Sequence, residues 1–315
     1  MSAHRPSRLA IIYLVAFVLV LAQSARARPL DPFDFTSLGA LDLTSGAYTF
    51  NTDTRTIVNN AAPGTPLFTG VVDNQGGTAD YFNGTWVPGT NGIPEIAVFT
   101  FDDVNLGAGA TLSVTGNRAL ALLSRSDIVV GTNLRLDSTM PTITTTAAGS
   151  GGFRGGTGAP PKPGQGPGGG PSSSSYVYGG NGGFGGRGAP ALDMNGQAIG
   201  TPGAVYGDLR AALQGGSGGA SGINLSLGPS SGGSGGGALE LSAVGTLRID
   251  AMVSANAGPY TNEWTFDPSP GSGSGGGIPL RGEEVLINGA VFPNGGNHNK
   301  KFLTPPPQSP PRGGR

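Results

Sequence analysis

Short runs of alternating apolar and polar residues recur along this chain, and clusters of Gly, Asn, Asp and Pro separate them. Between residues 34 and 147 the runs include Ala47–Phe50, Val98–Phe101 and Thr111–Val114. A period of two is typical of half-buried β-strands, in which successive side chains point to opposite faces. The pattern therefore predicts an all-β chain.

One arrangement of apolar residues occurs three times. The first copy has alternating pairs at Leu120 and Leu122 and at Ile128 and Val130, followed by Leu134. The matching residues are Leu239, Leu241, Leu247, Ile249 and Val253 in the second copy and Ile278, Leu280, Val285, Ile287 and Val291 in the third, whose turn is one residue shorter. A single copy cannot cover its own apolar face, whereas stacked copies cover one another. The repeat predicts a β-solenoid, or parallel β-helix; a β-sandwich is the alternative, because its strands have a similar spacing.

The middle of the chain has a different composition. Residues 149–237 contain 33 of the 59 glycines. A segment with so few side chains cannot form an ordinary core, so we expect a low-order insertion that loops out between the strands. Within it, residues 179–188 have glycine at every third position, which indicates either a short polyproline-II stretch or a flexible insertion.

The first 27 residues have the order of a secretory signal peptide. A basic start is followed by an apolar run, Leu9–Ala22, and by the small-residue stretch Ala25–Ala27. The apolar run is shorter than the roughly 20 residues that cross a bilayer. We expect cleavage after Ala27 and a secreted, extracellular or cell-surface protein with no membrane span after signal removal; an uncleaved membrane anchor is the alternative.

These patterns divide the chain into five parts. They are a signal peptide (1–27), an N-terminal β region (28–147), the glycine-rich insertion (148–237), the β repeats that continue the strands (238–296) and a basic, proline-rich tail (297–315). We expect the tail to be disordered because proline-rich segments lack the donors and side chains of a packed core.

Composition and charge argue against several kinds of site and partner. The chain has no cysteine, which excludes disulfides, thiolate metal sites and cysteine nucleophiles. The 59 glycines and 26 prolines disfavour helices. A formal net charge of −1 provides no long-range attraction for nucleic acid. Nucleic-acid partners are therefore not expected.

Groups able to perform catalysis are few. The two histidines are His4, in the predicted signal peptide, and His298, beside the tail. The chain therefore has too few histidines to favour a serine–histidine catalytic site or a histidine metal site. Asp102 and Asp103 are adjacent on a predicted strand and point to opposite faces, so a glycosidase pair would need a partner from another copy, such as Asp127. We assign no catalytic or cofactor-binding residue and expect no cofactor.

Two further acidic patterns have specific interpretations. The turns Asn51–Asp53 and Asp73–Asn74 are candidates for calcium, which prefers oxygen ligands, although the Gly-Gly-x-Gly-x-Asp nonapeptide of calcium-binding β-rolls does not occur. The sequence does not decide whether the chain binds a metal ion. Leu134–Asp137 and Leu247–Asp250 share an apolar-basic-apolar-acidic order, which predicts exposed ion pairs between adjacent copies.

The repeat itself resembles a known kind of protein. The segments from Gly235 to Leu241, from Gly245 to Asp250 and from Ala119 to Val130 resemble the glycine-rich repeat segments of large secreted or cell-surface bacterial proteins. Such proteins are usually described as parallel β-helices, some are adhesin-like, and most have no assigned function. The resemblance covers about residues 95–296.

Together with the scarcity of catalytic groups, this resemblance leads us to expect a secreted structural or adhesin-like surface protein without catalytic activity. Extracellular polysaccharide or cell-surface matrix is the expected partner class. The alternative is a polysaccharide-binding or polysaccharide-cleaving protein. The histidine and Arg-Lys motifs of pectin-degrading β-helices do not occur in the chain.

Overall fold

The computed structural model describes residues 29–75, 81–82, 85–86, 92–139, 141–142, 145–172, 179–192, 197–199, 201–224, 228–259 and 270–296. The predicted signal peptide and the predicted tail lie outside the described residues. Over the described residues the regular secondary structure is almost entirely β-strand, and the helical element is a 3₁₀ turn, Pro32–Asp34. Among these residues, no helix has the length and apolar character that crossing a bilayer requires.

Three sheets contain most of the strands, which are numbered in chain order. In spatial order, the seven-stranded sheet consists of β20 (Glu284–Ile287), β17 (Thr246–Ile249), β10 (Ile128–Val130), β8 (Asp103–Thr115), β1 (Ala40–Asn51), β2 (Thr56–Asn59) and β3 (Pro66–Thr69). The five-stranded sheet consists of β19 (Leu280–Arg281), β16 (Leu239–Ala243), β9 (Ala119–Ser124), β7 (Ile96–Phe101) and β4 (Val71–Asp73). The three-stranded sheet consists of β11 (Leu134–Arg135), β18 (Met252–Ser254) and β21 (Ala290–Phe292).

Six further strands form two-stranded antiparallel pairs. These pairs are β5 (Tyr81–Phe82) with β6 (Thr85–Trp86), β12 (Ala191–Leu192) with β13 (Ala198–Ile199), and β14 (Gly222–Asn224) with β15 (Gly228–Ser230).

The three copies of the sequence repeat pair with one another in parallel. In the seven-stranded sheet Ile128 is opposite Leu247, which is opposite Val285. In the five-stranded sheet Leu120 is opposite Leu239. Equivalent side chains therefore lie next to each other on the same face of a sheet, which confirms the predicted correspondence between the copies.

The predicted parallel β-helix, or β-solenoid, is wrong as an architecture. The sheets mix parallel and antiparallel pairs and are not closed into a solenoid, because β1 with β2, β2 with β3, and β4 with β7 are antiparallel. A local turn causes the first reversal: the Asn51 Oδ1 accepts hydrogen bonds from the N–H groups of Asp53 and Thr54, and Arg55 has a φ of 57°. The alternative, an antiparallel β-sandwich, does not fit either, since the copies pair in parallel.

Residues from all three sheets share the main hydrophobic core. It includes Phe50 and Phe99, whose ring centroids are 6.0 Å apart, together with the apolar residues of the repeat copies. A second cluster lies on the other face of the five-stranded sheet, where Leu30 and Phe35 of the amino-terminal segment and Leu213 cover it. Both faces of β7 and β9 are therefore buried, which explains why these strands are apolar at nearly every position.

The glycine-rich middle differs from the low-order insertion that its composition predicts. Its described segments are largely buried, and their backbones donate hydrogen bonds to one another. In segment 215–221, N–H groups three residues apart donate to the same neighbouring segment. These bonds run from Gly216 to Gly236 and from Gly219 to Gly233 for one neighbour, and from Gly218 to Gln165 and from Ser221 to Lys162 for another. A repeat of three is typical of the polyproline-II helix, which has no internal hydrogen bonds and offers its backbone groups to neighbours.

The close packing of these segments requires glycine. A Cβ added to Gly216 would lie 2.0 Å from the carbonyl oxygen of Ser274, and one added to Gly219 would lie 2.2 Å from that of Gly271. No carbon atom fits at such distances from an oxygen. The glycines therefore allow backbones to approach one another in place of a side-chain core.

Candidate functional site

The carboxylate of Asp127, the candidate partner for a glycosidase pair, holds the first copy to the second. Its Oδ1 accepts a hydrogen bond of 2.6 Å from the Thr246 N–H. Two more bonds join residues with the same separation of 119, from the Met252 N–H to Asn133 Oδ1 and from the Asn256 N–H to Asp137 Oδ1. Asp102 and Asp103 are exposed at the bend between β7 and β8. The structure thus gives Asp127 a structural role.

The two calcium candidates have protein partners. Asp53 accepts a hydrogen bond of 2.8 Å from the Asn117 N–H, and its Oδ1 lies 3.8 Å from the Arg118 guanidinium. Asp73 accepts a hydrogen bond from the Gln75 N–H in its own turn. Within the described ranges, no three acidic or histidine side chains come together as a metal site would require.

The two Arg-x-Asp motifs form ion pairs within the first and the second copy. Arg135 Nε lies 3.9 Å from Asp137 Oδ2, and Arg248 Nε lies 2.8 Å from Asp250 Oδ2. This differs from the predicted pairing between copies, because residues two apart on a strand share a face and are the nearer neighbours. The contact between copies is made by Asn288, whose Nδ2 donates a hydrogen bond of 2.9 Å to Asp250 Oδ1.

The sequence did not predict the burial of one carboxylate. Glu240 on β16 is 3% exposed, and its Oε1 accepts a hydrogen bond of 3.1 Å from the Leu30 N–H. Burial raises the pKa of Glu240 to about 7; Asp73 adds to the rise, while the Leu30 hydrogen bond and the charge of Arg281 act in the opposite direction. The alternating pattern around Glu240 suggests a solvent-facing position. The amino-terminal segment crosses this face and contacts Glu240 through Leu30.

The third copy of the repeat leaves one end of the sheets open. Strands β19 and β20 are each the last strand of their sheet, as is β21 in the three-stranded sheet. We call residues 278–292 the terminal face. Its exposed large apolar side chains are Val285 (39%), Leu286 (38%), Ile287 (50%) and Phe292 (40%). The inner side of this copy, with Ile278, Leu280 and Val291, packs on the main core. The terminal face is the exposed apolar edge of an otherwise buried stack.

A groove of about 630 Å³, here called the glycine groove, borders the terminal face on one side. Its lining includes Ser272, Arg187 and Phe184 from glycine-rich segments and Ile278 and Val291 from the terminal face. Ser272 is 3% exposed, and among the described residues its Oγ has no hydrogen-bond partner. This hydroxyl is buried, so the groove presents the cation of Arg187 and the aromatic ring of Phe184 to a partner.

A second groove, of about 540 Å³, borders the terminal face on another side. It lies between the amino-terminal turn, with Asp31 and Phe33, and the β19–β20 turn, with Arg281 and Glu283. Both grooves therefore border the third copy.

No family model matches the chain, and neither a curated protein nor a solved structure matches it.

Proposed function

We propose that the protein is a secreted structural or adhesin-like surface protein without catalytic activity, and that it associates through its terminal face. The observation that carries this proposal is the position of β19, β20 and β21, which leave three sheets open on the same side. Edge strands with exposed aliphatic side chains are ready to pair with another chain. A folded protein that presents such an edge at one end is suited to assembly.

The use of the polar side chains supports a structural role. The carboxylates of Asp127 and Asp137 accept hydrogen bonds from backbone N–H groups of the following copy. Asp250 contacts the third copy by accepting a hydrogen bond from the side-chain amide of Asn288. Acidic residues that hold repeats in register contribute to stability and are not available as a reacting pair. The resemblance to glycine-rich repeats of surface proteins supports the same function.

The test is a digestion and binding experiment on the purified protein. It is incubated with plant and microbial polysaccharides and with cell-surface matrix, and both released sugars and retained protein are measured. We expect retention on at least one surface and no released sugar above a heat-denatured control. Reproducible release of oligosaccharide would contradict a purely structural function.

A second candidate function, polysaccharide binding, is favoured by the glycine groove. Arg187 is the charged side chain that lines it, and a guanidinium pairs well with the carboxylate of a uronic acid.

The substitution Arg187→Gln tests this candidate, and Arg210→Gln, at another exposed arginine outside the groove, is the matched control. If the groove binds acidic polysaccharide, Arg187→Gln lowers retention and Arg210→Gln does not. Equal retention of both variants and of the wild type would show that the glycine groove does not bind acidic polysaccharide through Arg187.

A further inference from the structure

We propose that residues 29–38, here called the amino-terminal strap, are a pH-sensitive cover that leaves the outer face of the five-stranded sheet when Glu240 ionises. The outer face is the side of this sheet that carries the second hydrophobic cluster, opposite the main core. The change is conformational and goes beyond the surface function proposed above. It follows from how the strap is attached, from the polar groups beneath it and from the charge of Glu240.

The start of the strap lies over two strands of the sheet and is held there through Leu30. The Leu30 N–H donates a hydrogen bond to Glu240 on β16. The carbonyl oxygen of the same residue accepts a hydrogen bond of 3.5 Å from Arg281 on β19. The first attachment of the strap therefore depends on two ionisable side chains.

The rest of the strap is attached to the next two strands. The Phe35 carbonyl oxygen accepts a hydrogen bond of 2.7 Å from Arg125, directly after β9, and the Arg125 guanidinium lies 5.6 Å from the centre of the Phe33 ring. The Leu38 N–H donates to the carbonyl oxygen of Thr100 on β7. Because β19, β16, β9 and β7 are consecutive in the sheet, the strap runs across the strands.

The strap covers polar groups that it does not fully satisfy. Thr100 is on the same face of β7 as Val98, which belongs to the second cluster. Its Oγ1 is buried without a hydrogen-bond partner among the described residues, and so is the Nε of Arg125. A buried polar group without a partner destabilises the state that buries it, because water would otherwise bind to it. The closed strap is therefore less stable than its apolar contacts alone would make it.

Ionisation of Glu240 favours release of the strap. Burial raises the pKa of Glu240 to about 7, from an ordinary value of 4.5. An open strap admits water to the carboxyl group and returns its pKa toward the ordinary value. Because the pKa is higher in the closed state, that state is favoured at low pH, and the preference is lost as the pH rises through about 7.

Other charges near this face do not replace water as the main cause. The charged residues of the elements that form or cover the face are of both signs: Asp31 in the strap, Asp73 on β4, Glu95 before β7, Arg118 and Arg125 on either side of β9, Asp208 and Arg210 before Leu213, and Arg281 on β19. Burial has the largest effect on Glu240, while Arg281 and Asp73 act in opposite directions. Ala121, the residue opposite Glu240 on β9, has no charge.

The size of the effect follows from the two pKa values. Each unit by which they differ can change the opening equilibrium tenfold. With a pKa of about 7 in the closed state and 4.5 in the open state, the opening equilibrium constant rises roughly 70-fold from about pH 5 to about pH 8.

Two cysteine probes test the proposal in a chain that has no cysteine of its own. Ala121→Cys places a thiol in the second cluster, and the matched control, Ala97→Cys, places one in the main core; both alanines are 0% exposed. The rate of alkylation by iodoacetamide is measured in the native protein over a pH series. Division by the rate of the urea-unfolded variant at the same pH removes the effect of thiol ionisation.

The corrected rate of Ala121→Cys should rise by about the calculated factor, and that of Ala97→Cys should not. Addition of Glu240→Gln should remove the rise, because glutamine keeps the hydrogen bond and does not ionise. A corrected rate of Ala121→Cys that does not rise overturns the proposal, as does a rise that persists with Glu240→Gln. An equal rise of Ala97→Cys also overturns it, since the whole protein would then be opening.

A second measurement uses exposed positions, where a substitution does not disturb the core. Spin labels on Asp34→Cys in the strap and Val244→Cys after β16 report the distance between the strap and the sheet. One distance is expected at about pH 5, with a second, longer distance at about pH 8 that Glu240→Gln abolishes. A single, unchanged distance at both pH values contradicts release of the strap.

Discussion

The substitution Glu240→Gln tests whether burial of this carboxyl group controls the pH dependence of stability. Glutamine keeps the shape of the side chain, and its amide oxygen accepts the hydrogen bond that the Leu30 N–H donates to Glu240 Oε1. The substitution removes only the charge. Any change in the pH dependence of unfolding therefore reports the cost of ionising the buried group.

The sign and size of the effect follow from the pKa. Burial raises the pKa of Glu240 from 4.5 to about 7 in the folded protein. Because the folded pKa is above the unfolded one, the contribution of this group is fully present below pH 4.5 and is lost as the pH rises through about 7. At 1.36 kcal/mol per pKa unit, the loss is about 3 kcal/mol. Glu240→Gln should be as stable as the wild type at acidic pH and more stable by up to this amount above neutrality.

Urea unfolding at a series of pH values measures this difference as a change in the free energy of unfolding. The control is Asp102→Asn, which neutralises an exposed carboxylate and should leave the pH dependence of the wild type intact. If Glu240→Gln loses stability between acidic and alkaline pH as steeply as the wild type does, the buried carboxyl group is not the cause and the reasoning is refuted.

Two other predictions concern the glycine segments and the contacts between copies. Gly219→Ala should destabilise the protein by about 1–3 kcal/mol, since its Cβ would lie 2.2 Å from the Gly271 carbonyl oxygen, whereas Gly64→Ala, with no atom within 4 Å, should have little effect in the same thermal unfolding assay. Equal stability of the two variants would contradict the close packing of the glycine segments. Asp127→Ala should cost about 1 kcal/mol because it removes the hydrogen bond to the N–H group of the following copy, and Asp103→Ala, at an exposed position, should cost less by urea unfolding. A smaller loss for Asp127→Ala than for Asp103→Ala would argue against its role between the copies.

The spacing of apolar residues was sufficient to align the repeat copies. Ile128, Leu247 and Val285 occupy the same position in three copies of the sequence and also pair side by side in the sheet. Alternation along a strand assigns each side chain to a face, and parallel pairing keeps equivalent positions together. These are local rules, so the sequence is enough to apply them.

The sequence predicted the surroundings of the candidate residues less well than it predicted the alignment of the copies. The acidic residues singled out, such as Asp127 and Asp53, have structural partners that are distant in the chain. Glu240 has the pattern of an exposed residue but is covered by the segment around Leu30, which lies 210 residues away. Whether a residue is exposed depends on which distant segments of the chain pack over it.

The sequence by itself determined that the chain forms strands, which of its side chains share a face, and how the three copies align, because strand alternation and repeat spacing depend on neighbouring residues alone. The tertiary structure decided the rest. Antiparallel strands before the repeats keep the sheets from closing into a solenoid, and glycine segments that lack any apolar pattern pack through backbone hydrogen bonds such as that from Gly216 to Gly236. Those bonds join segments far apart in the chain, and their partners exist only once the segments have come together.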